Sequence, residues 1–427
     1  MTSLIIAVAF ILLAIFGMKV AYALGFATMV GIALFTDFNV LTVAQKMVSG
    51  IDSYSLMAIP LFMLAGRMMN EGGITERIFR LCNALVGHIK GSLAYVNVLA
   101  SMAFATMSGS AVADVGGLGQ VEIKAMSDEG YPPEYAAAIT LASSAIGPIL
   151  PPSINFVIFS VLANVSTGAL FLAGILPGIL MGVALIVIVF IMGFFMQYPI
   201  SKHKQSLKDR LVAFKQAILP MFTPVIILGG IMGGIFTPTE ASSVAAVYAF
   251  ILGFFVYKSI KLKEVPEILL DVISSTAIVT FIIACSASFS WVMVLDNVGI
   301  KLLNVVMTLT SNKILILLIL NLIMLILGCF MENSTLLILL APIFLPISAQ
   351  LGIDPIQFGV IMVLNLMIGV VTPPVGTALF VVSSMTGITI GKLTKPVFLF
   401  VIPLFVVLML VTYIPGVSLW LPSIFIR

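Results

Sequence analysis

The chain has 427 residues, of which 61% are hydrophobic and 9% charged, and its formal net charge is +3. A soluble domain carries about 25% charged residues, so this composition excludes a soluble enzyme, and the small net charge gives no sign of a nucleic-acid partner. No charged residue lies between Glu134 and Lys202, or between Lys215 and Glu240. Because roughly 17 apolar residues can already cross a bilayer, the sequence predicts an all-α polytopic membrane protein.

Apolar blocks with short polar separators predict the membrane spans in chain order. These blocks cover 3–17, 20–35, 54–70, 133–165, 168–197, 216–235, 238–257, 266–295, 355–385 and 394–424. The first block has no charged n-region, so we expect a span there and not a cleaved signal peptide. Segments 74–89 and 299–310 are more amphipathic, and we expect them to lie along the membrane surface.

Two regions, 90–127 and 312–350, are almost twice the length of a span and carry small or polar residues at their middle. We expect each to be a re-entrant helical hairpin, hairpin 1 and hairpin 2. The predicted domains are N-terminal scaffold helices with an interfacial segment, a first repeat, a basic linker with further scaffold helices, and a second repeat with the last helix, at 1–89, 90–197, 198–311 and 312–427.

Lysine and arginine residues predict the orientation of the chain. Residues 201–215 are rich in lysine and arginine, and residues 258–263 are rich in lysine. The positive-inside rule places such segments in the cytoplasm. Counting spans from these segments puts residues 124–132 in the cytoplasm and residues 350–354 on the outer side. The two hairpins are therefore predicted to enter the membrane from opposite faces.

An internal repeat supports this arrangement. A shift of 222 positions lays residues 130–152 over residues 352–374 without gaps, and seven of the 23 positions are identical, five of them Gly or Pro. A hairpin precedes each copy, and opposite orientation is typical of inverted-repeat transporters. We therefore expect two inverted repeats, each with a hairpin and a helix broken by a Pro-Pro pair, at 133–165 and 355–385.

The predicted breaks, GPILPPS (147–153) and GVVTPPVG (369–376), place free backbone carbonyls at membrane depth. Proline removes a donor and clashes with the preceding turn, and an unpaired polar group is costly in lipid. A dehydrated cation is one partner for such carbonyls, since helix C-termini carry partial negative charge. A proline kink repaired by neighbouring helices is the alternative.

The middles of the hairpins supply neutral oxygen groups. Hairpin 1 has Ser108 and Ser110, and hairpin 2 has Asn333, Ser334 and Thr335. Hydroxyl, amide and carbonyl oxygens suit a hard monovalent cation such as Na⁺, and helix N-termini at the hairpin tips favour an anionic substrate group. Serine and threonine also join helices to one another in membranes, which is the simpler interpretation.

Three acids are predicted within or beside the bilayer and are candidate substrate or gating residues: Asp114, Glu240 and Glu332. Carboxylates inside a membrane are rare and indicate function. Glu240 could instead cap a helix, and the other two could brace the hairpin tips. We expect Arg67 to extend to the membrane interface.

Several of these motifs together resemble the large membrane subunit of tripartite ATP-independent periplasmic (TRAP) transporters, of the sialic-acid and C4-dicarboxylate type. The resemblance extends over nearly the whole chain and is carried by IPLFMLAGRMMNEGG (59–73), SGSAVADVGGLG (108–119), AAAITLASSAIGPILPPS (136–153), GGIFTPTEA (233–241) and GVVTPPVG (369–376).

This resemblance implies an elevator-type, Na⁺-coupled symporter for an organic acid, with sialic acid (N-acetylneuraminate) as the expected substrate. It implies a bacterial inner membrane location, a small four-helix membrane subunit and a periplasmic substrate-binding protein as partners, and no cofactor besides the coupling ion. The implied first Na⁺ site consists of Ser108, Ser110, Gly147, Leu150 and Pro152. The implied second site consists of Thr335, Gly369, Thr372 and Val375, with Asn333 and Ser334 nearby.

Other functions remain open at this point. A stand-alone Na⁺/dicarboxylate symporter could have similar hairpins. An intramembrane aspartyl protease needs two facing acids, for which Asp114 and Glu332 are the available pair, and a serine protease needs a base near its nucleophile. A passive channel needs a continuous polar lining, which the sequence does not show.

Overall fold

The computed structural model describes residues 2–195, 206–310 and 312–426. Within these ranges every regular element is helical, which confirms the predicted all-α class. Lys202 and Lys204 of the basic linker, and the predicted domain limits at 197, 198, 311 and 427, lie outside the described residues.

The N-terminal part contains one helix more than the sequence predicts. Its helices are α1 (Thr2–Ile15), α2 (Val20–Phe35), α3 (Leu41–Ile51), α4 (Ala58–Glu71) and α5 (Ile74–Val86). The sequence of α3, LTVAQKMVSGI, holds no apolar block, so hydropathy alone misses it. The chain bends by 62° between α3 and the segment Tyr54–Glu71 that includes α4.

The first predicted hairpin and broken helix are present as helix pairs. They comprise α6 (Ser92–Ser108), α7 (Ala111–Asp114), a π-helical segment (Val115–Gly119), α8 (Gln120–Asp128), α9 (Pro133–Ser144) and α10 (Ile154–Ala163). Hairpin 1 is formed by α6 on one side and α7 to α8 on the other. Residues 145–153, between α9 and α10, are the first break.

Long apolar helices follow in the middle of the chain. They are α11 (Thr167–Phe195), α12 (Leu207–Met232), α13 (Pro238–Ile251) with a π-helical end (Leu252–Val256), α14 (Val265–Leu295) and α15 (Val298–Leu309). Helix α12 begins nine residues before the predicted span at 216. Its start is set by Ser206 and Asp209, which form a capping box with each other, and the basic residues after them are therefore helical.

The second hairpin and broken helix have the same order of elements as the first. The helices are α16 (Lys313–Gly328), α17 (Asn333–Gln350), α18 (Pro355–Val371), α19 (Thr377–Thr386), α20 (Ile390–Tyr413) and α21 (Gly416–Phe425). Hairpin 2 consists of α16 and α17, and residues 372–376 form the second break. The predicted span 394–424 consists of two helices, because the chain leaves helical geometry at Ile414, before Pro415.

Length and composition identify six helices that can each cross a membrane in the described part of the chain, or up to seven if the bent pair counts as one span. The six are Thr167–Phe195, Lys208–Met232, Pro238–Val256, Val265–Leu295, Asn333–Gln350 and Ile390–Tyr413. The other predicted spans coincide with shorter helices. The chain is a multi-pass membrane protein, while the re-entrant and inverted character of the hairpins stays a prediction.

The broken helices lie at the centre of the molecule. Every residue of α18 from Gln357 to Val371 is buried, and α18 packs against α16, α17 and α20. A helix that is apolar on all sides is expected in such a position. The first break is enclosed by protein, whereas Pro374 in the second break is exposed.

Candidate ion and substrate site

The tip of hairpin 1 rests directly on the first break. Gly109 forms the turn with a φ of +61°, a conformation that glycine adopts without steric cost. A Cβ atom at this position would lie 2.5 Å from the carbonyl oxygen of Pro152. A Cβ on Gly147 would likewise lie 3.4 Å from the carbonyl carbon of Ser110. The glycines thus allow two backbone segments to touch.

The side chains at this contact leave oxygen atoms available. The Ser108 hydroxyl is buried and has no hydrogen-bond partner among the described residues, whereas the Ser110 hydroxyl accepts from the backbone N–H of Ala113 at 3.4 Å and caps α7. Leu150 and Pro152 are both buried in the break, and the Pro151–Pro152 peptide bond is cis. The structure thus brings Ser110 next to Gly147 and the turn at Gly109 next to Pro152, whereas the grouping of all five residues as one ion site stays a prediction.

The second break contacts hairpin 2 in a similar way. The backbone N–H of Gly376 donates to the carbonyl of Cys329 at 2.8 Å. A Cβ on Gly369 would lie 2.6 Å from the Cα of Gly328, so these two backbones are also in contact. The hydroxyl of Thr372 donates to the Ile368 carbonyl at 2.5 Å, which leaves its lone pairs free.

The start of α17 holds the polar residues predicted for the second site. Glu332 caps this helix by accepting from the backbone N–H of Thr335 at 2.9 Å and from its hydroxyl at 3.1 Å. The amide nitrogen of Asn333 donates to the sulfur of Met367 at 3.7 Å. Its amide oxygen is buried and unpartnered in the described part of the chain. Val375 is half-buried in the break that faces this helix.

The two repeats, each with its hairpin tip and its break, meet at one cavity of about 190 Å³, which we call the tip cavity. Its lining includes Ser110 from hairpin 1, Ser334 from hairpin 2 and Asn155 from α10. The Ser334 hydroxyl donates to the Asn155 amide oxygen at 3.2 Å and joins the two repeats. The sequence analysis missed Asn155, although a polar residue shortly after Pro-Pro in an apolar helix is a usable signal.

The tip cavity is also where three helices begin. Ile154 and Asn155 start α10, Asn333 and Ser334 start α17, and Thr377 starts α19, and all five line the cavity. The first N–H groups of a helix have no partner within the helix, and the helix dipole makes this end positive. The tip cavity is therefore lined both by positive helix ends, which favour an anion, and by the carboxyl group of Glu332.

A larger cavity of about 510 Å³, the side cavity, lies next to hairpin 1 and is bounded by α4 and α14. Both cavities share Met63, Ser110 and Ile154 in their linings. The guanidinium of Arg67 lines the side cavity and forms ion pairs with Asp271 at 2.9 Å and with Glu71 at 3.5 Å. These ion pairs hold the Arg67 side chain in place, and its extension to the membrane interface stays a prediction.

The three predicted acids lie in different surroundings. Glu332 lines the tip cavity, whereas Asp114 is buried inside hairpin 1. Glu240 forms a capping box at the start of α13, where it accepts from the backbone N–H of Thr237 at 2.7 Å and from its hydroxyl at 2.8 Å. Capping therefore accounts for Glu240. The described structure shows no contact between Asp114 and Glu332, which a protease site would require.

Comparison with known proteins gives a consistent result. A family model described as "Tripartite ATP-independent periplasmic transporter, DctM component" matches residues 7–417. Over 410 residues the chain is 44% identical to the sialic acid TRAP transporter large permease protein SiaM of Vibrio cholerae, with 96% of each chain covered. Over 401 residues it is 40% identical to the C4-dicarboxylate TRAP transporter large permease protein DctM of Pseudomonas aeruginosa, with 94% of each chain covered.

Among solved structures, the YdaH transporter of Alcanivorax borkumensis matches with a TM-score of 0.64 and 15% identity, over 91% of this chain and 90% of that chain. At this identity the likeness concerns the fold alone. The family match over nearly the whole length carries the assignment. The chain belongs to the DctM component family of tripartite ATP-independent periplasmic transporters, a family of large transport permeases and not of enzymes.

Proposed function

We propose that the chain drives uptake of an organic acid, sialic acid (N-acetylneuraminate), across the bacterial inner membrane by symport with Na⁺. In this proposal hairpins and broken helices move together as a transport domain in an elevator mechanism. A small four-helix membrane subunit and a periplasmic substrate-binding protein complete the transporter. The observation that carries the proposal is the tip cavity, where both hairpins, both broken helices and the starts of three helices meet.

Sodium is the proposed coupling ion because the contacts between tips and breaks offer neutral oxygen atoms. The unpartnered hydroxyl of Ser108 lies at the first contact, and the Thr372 hydroxyl and the amide oxygen of Asn333 lie at the second. Hard oxygen ligands suit a hard cation, whereas thiolate and imidazole select transition metals. Among the described residues no group of three or more His, Cys, Asp or Glu side chains could hold a metal ion.

An organic acid is the proposed substrate because a carboxylate fits the positive helix ends at the tip cavity. The side cavity of about 510 Å³ adjoins it and falls in the volume range of small-molecule sites. Sialic acid is preferred over a C4-dicarboxylate because the relative named for sialic acid is 44% identical and the relative named for C4-dicarboxylates is 40% identical.

The experiment is uptake of radiolabelled N-acetylneuraminate by liposomes that contain the permease and its small subunit, with the binding protein added outside. We expect accumulation only with an inward Na⁺ gradient. Equal uptake with K⁺ in place of Na⁺ on both sides would contradict the Na⁺ coupling. Uptake of succinate in preference to N-acetylneuraminate would show that the substrate is a C4-dicarboxylate and not sialic acid.

One further arm of this experiment distinguishes the proposal from the alternative of a stand-alone Na⁺/dicarboxylate symporter. Omitting the binding protein should abolish uptake at low substrate concentration if the proposal holds. Unchanged uptake of a C4-dicarboxylate without the binding protein would favour the stand-alone symporter.

A further inference from the structure

Hairpin 1 encloses a polar cluster that neither ion contact nor the two cavities use. At its centre is the carboxyl group of Glu122 on α8, which is 0% exposed. Asn97 of α6 donates to one oxygen of this carboxyl, Oε2, at 2.9 Å, and donates to the Thr140 hydroxyl oxygen at 2.6 Å. The other carboxyl oxygen, Oε1, has no partner in the part of the chain that the structure describes.

Most hydrogen atoms of the cluster are committed to groups other than the Glu122 carboxyl. Ser143 has one hydroxyl hydrogen, which it donates to the Asn97 amide oxygen at 2.9 Å or to the Thr140 carbonyl at 3.1 Å. The 2.9 Å bond between the hydroxyls of Ser101 and Ser143 must therefore use the Ser101 hydrogen. Both hydrogens of the Asn97 amide are also used. The remaining hydrogen is that of the Thr140 hydroxyl, which also bonds to the Glu122 carboxyl, and Oε1 is left without a partner among the described residues.

A second acid adds to the cost of a negative charge at Glu122. Asp114 is 2% exposed, lies close enough for its charge to act on Glu122, and has two oxygen atoms without a hydrogen-bond partner in the described structure. A buried carboxylate without a compensating cation is strongly disfavoured, whereas a protonated carboxyl is neutral and carries its own donor.

No basic group compensates for this charge among the described residues. The other titratable group that acts on Glu122 is the buried thiol of Cys82 on α5. Of the basic side chains on α5 and α8, Arg77 stacks on the ring of Tyr257 at 3.8 Å and Arg80 pairs with Glu76. Lys124 is exposed. On α9 the charged group is the half-buried Glu134, and on α6 the titratable group is the half-buried Tyr95.

We propose that Glu122 is a proton-binding site of the transport domain, and that the closed packing of hairpin 1 against α9 requires the bound proton. A proton fits the site better than Na⁺ does, because the Asn97 amide nitrogen faces the carboxyl as a donor. A metal ion would need several oxygen atoms turned towards one point. The proton stays on the Glu122 carboxyl, so no other group has to change its charge. This inference does not rest on the proposed Na⁺ coupling.

The test is the infrared spectrum of the purified permease at neutral pH, in the region where protonated carboxylic acids absorb. We expect a band of this kind in the wild type and a weaker band in Glu122→Gln, because Asp114 is a second buried carboxyl. Glu267→Gln, at an exposed position on α14, is the matched control and should keep the band. Absence of the band from the wild type, or a band of unchanged intensity in Glu122→Gln, would overturn the proposal.

A measurement on the unsubstituted protein covers the case in which Glu122→Gln does not fold. Glu122 is the one fully buried glutamate among the described residues. At least part of the band should therefore shift when the protein is made with ¹³C-labelled glutamate carboxyl groups, whether or not labelled aspartate shifts the rest. A shift with aspartate alone would assign the proton to Asp114 and refute the proposal for Glu122.

Discussion

The hydroxyl of Ser108 is buried without a partner among the described residues, which costs about 1–3 kcal/mol unless a ligand satisfies it. We expect Ser108→Ala to raise the melting temperature of the permease without Na⁺ and to reduce the stabilisation that Na⁺ adds. Thermal unfolding across a Na⁺ titration measures both effects. Ser288→Ala removes a buried hydroxyl that donates to the Cys285 carbonyl at 2.7 Å and should leave the Na⁺ titration unchanged. Identical Na⁺ titrations of Ser108→Ala and wild type would refute the placement of the first site.

Thr372 differs from Ser108 because its hydroxyl already donates to the Ile368 carbonyl. We expect Thr372→Ala to lower the free energy of unfolding without Na⁺ by about 1 kcal/mol, and the melting temperature with it. We also expect the variant to reduce the stabilisation that Na⁺ adds. The same Na⁺ titration of thermal unfolding measures the two changes. A variant that loses stability but keeps the wild-type response to Na⁺ would show that Thr372 has a structural role alone.

At the scale of elements, the contact between hairpin 1 and the first break depends on the absence of a side chain at Gly109. Its φ is +61° and a Cβ would meet the Pro152 carbonyl oxygen at 2.5 Å. We expect Gly109→Ala to separate the tip from the break, to cost more than about 1 kcal/mol, and to abolish Na⁺-dependent uptake. Gly391→Ala at the start of α20 is the control, because a Cβ there has no heavy atom within 4 Å. Equal uptake by both variants would contradict the importance of this contact.

At the scale of the molecule, the inverted repeat predicts opposite sides for the two hairpin ends. Single cysteines at Asp128 and Gln350, both exposed, should react with a membrane-impermeant reagent from the cytoplasmic and the outer side respectively. The background lacks Cys82, Cys285 and Cys329, which are buried. Gln350 is chosen over Asp354 because Asp354 caps α18. Reaction of both positions from the same side of intact cells would refute the inverted orientation.

The sequence predicts the hairpins and breaks because their causes are local. Gly109, Pro152 and the Pro373–Pro374 pair dictate turns and interruptions whatever surrounds them. Contacts between distant segments carry no such local mark. The bond between Ser334 and Asn155, 179 positions apart, and the common cavity at three helix starts depend on tertiary packing. The burial of Glu122 is likewise not predictable from the sequence, because α8 also contains the exposed Lys124 and its composition is that of a polar segment.

The bond between Ser334 and Asn155 has a consequence for how the two proposed Na⁺ sites influence each other. It ties the start of hairpin 2 to the helix that follows the first break, so a shift of either tip acts on the other through this bond. Thermodynamic linkage is reciprocal: the factor by which one occupied contact changes the affinity of the other applies equally in the reverse direction. Because Na⁺ at either proposed ion site would hold its tip against its break, we expect the bond to favour the same arrangement at the other site. The Na⁺ saturation curve should then be steeper than that of a single site, and replacing Asn155 by alanine should flatten it.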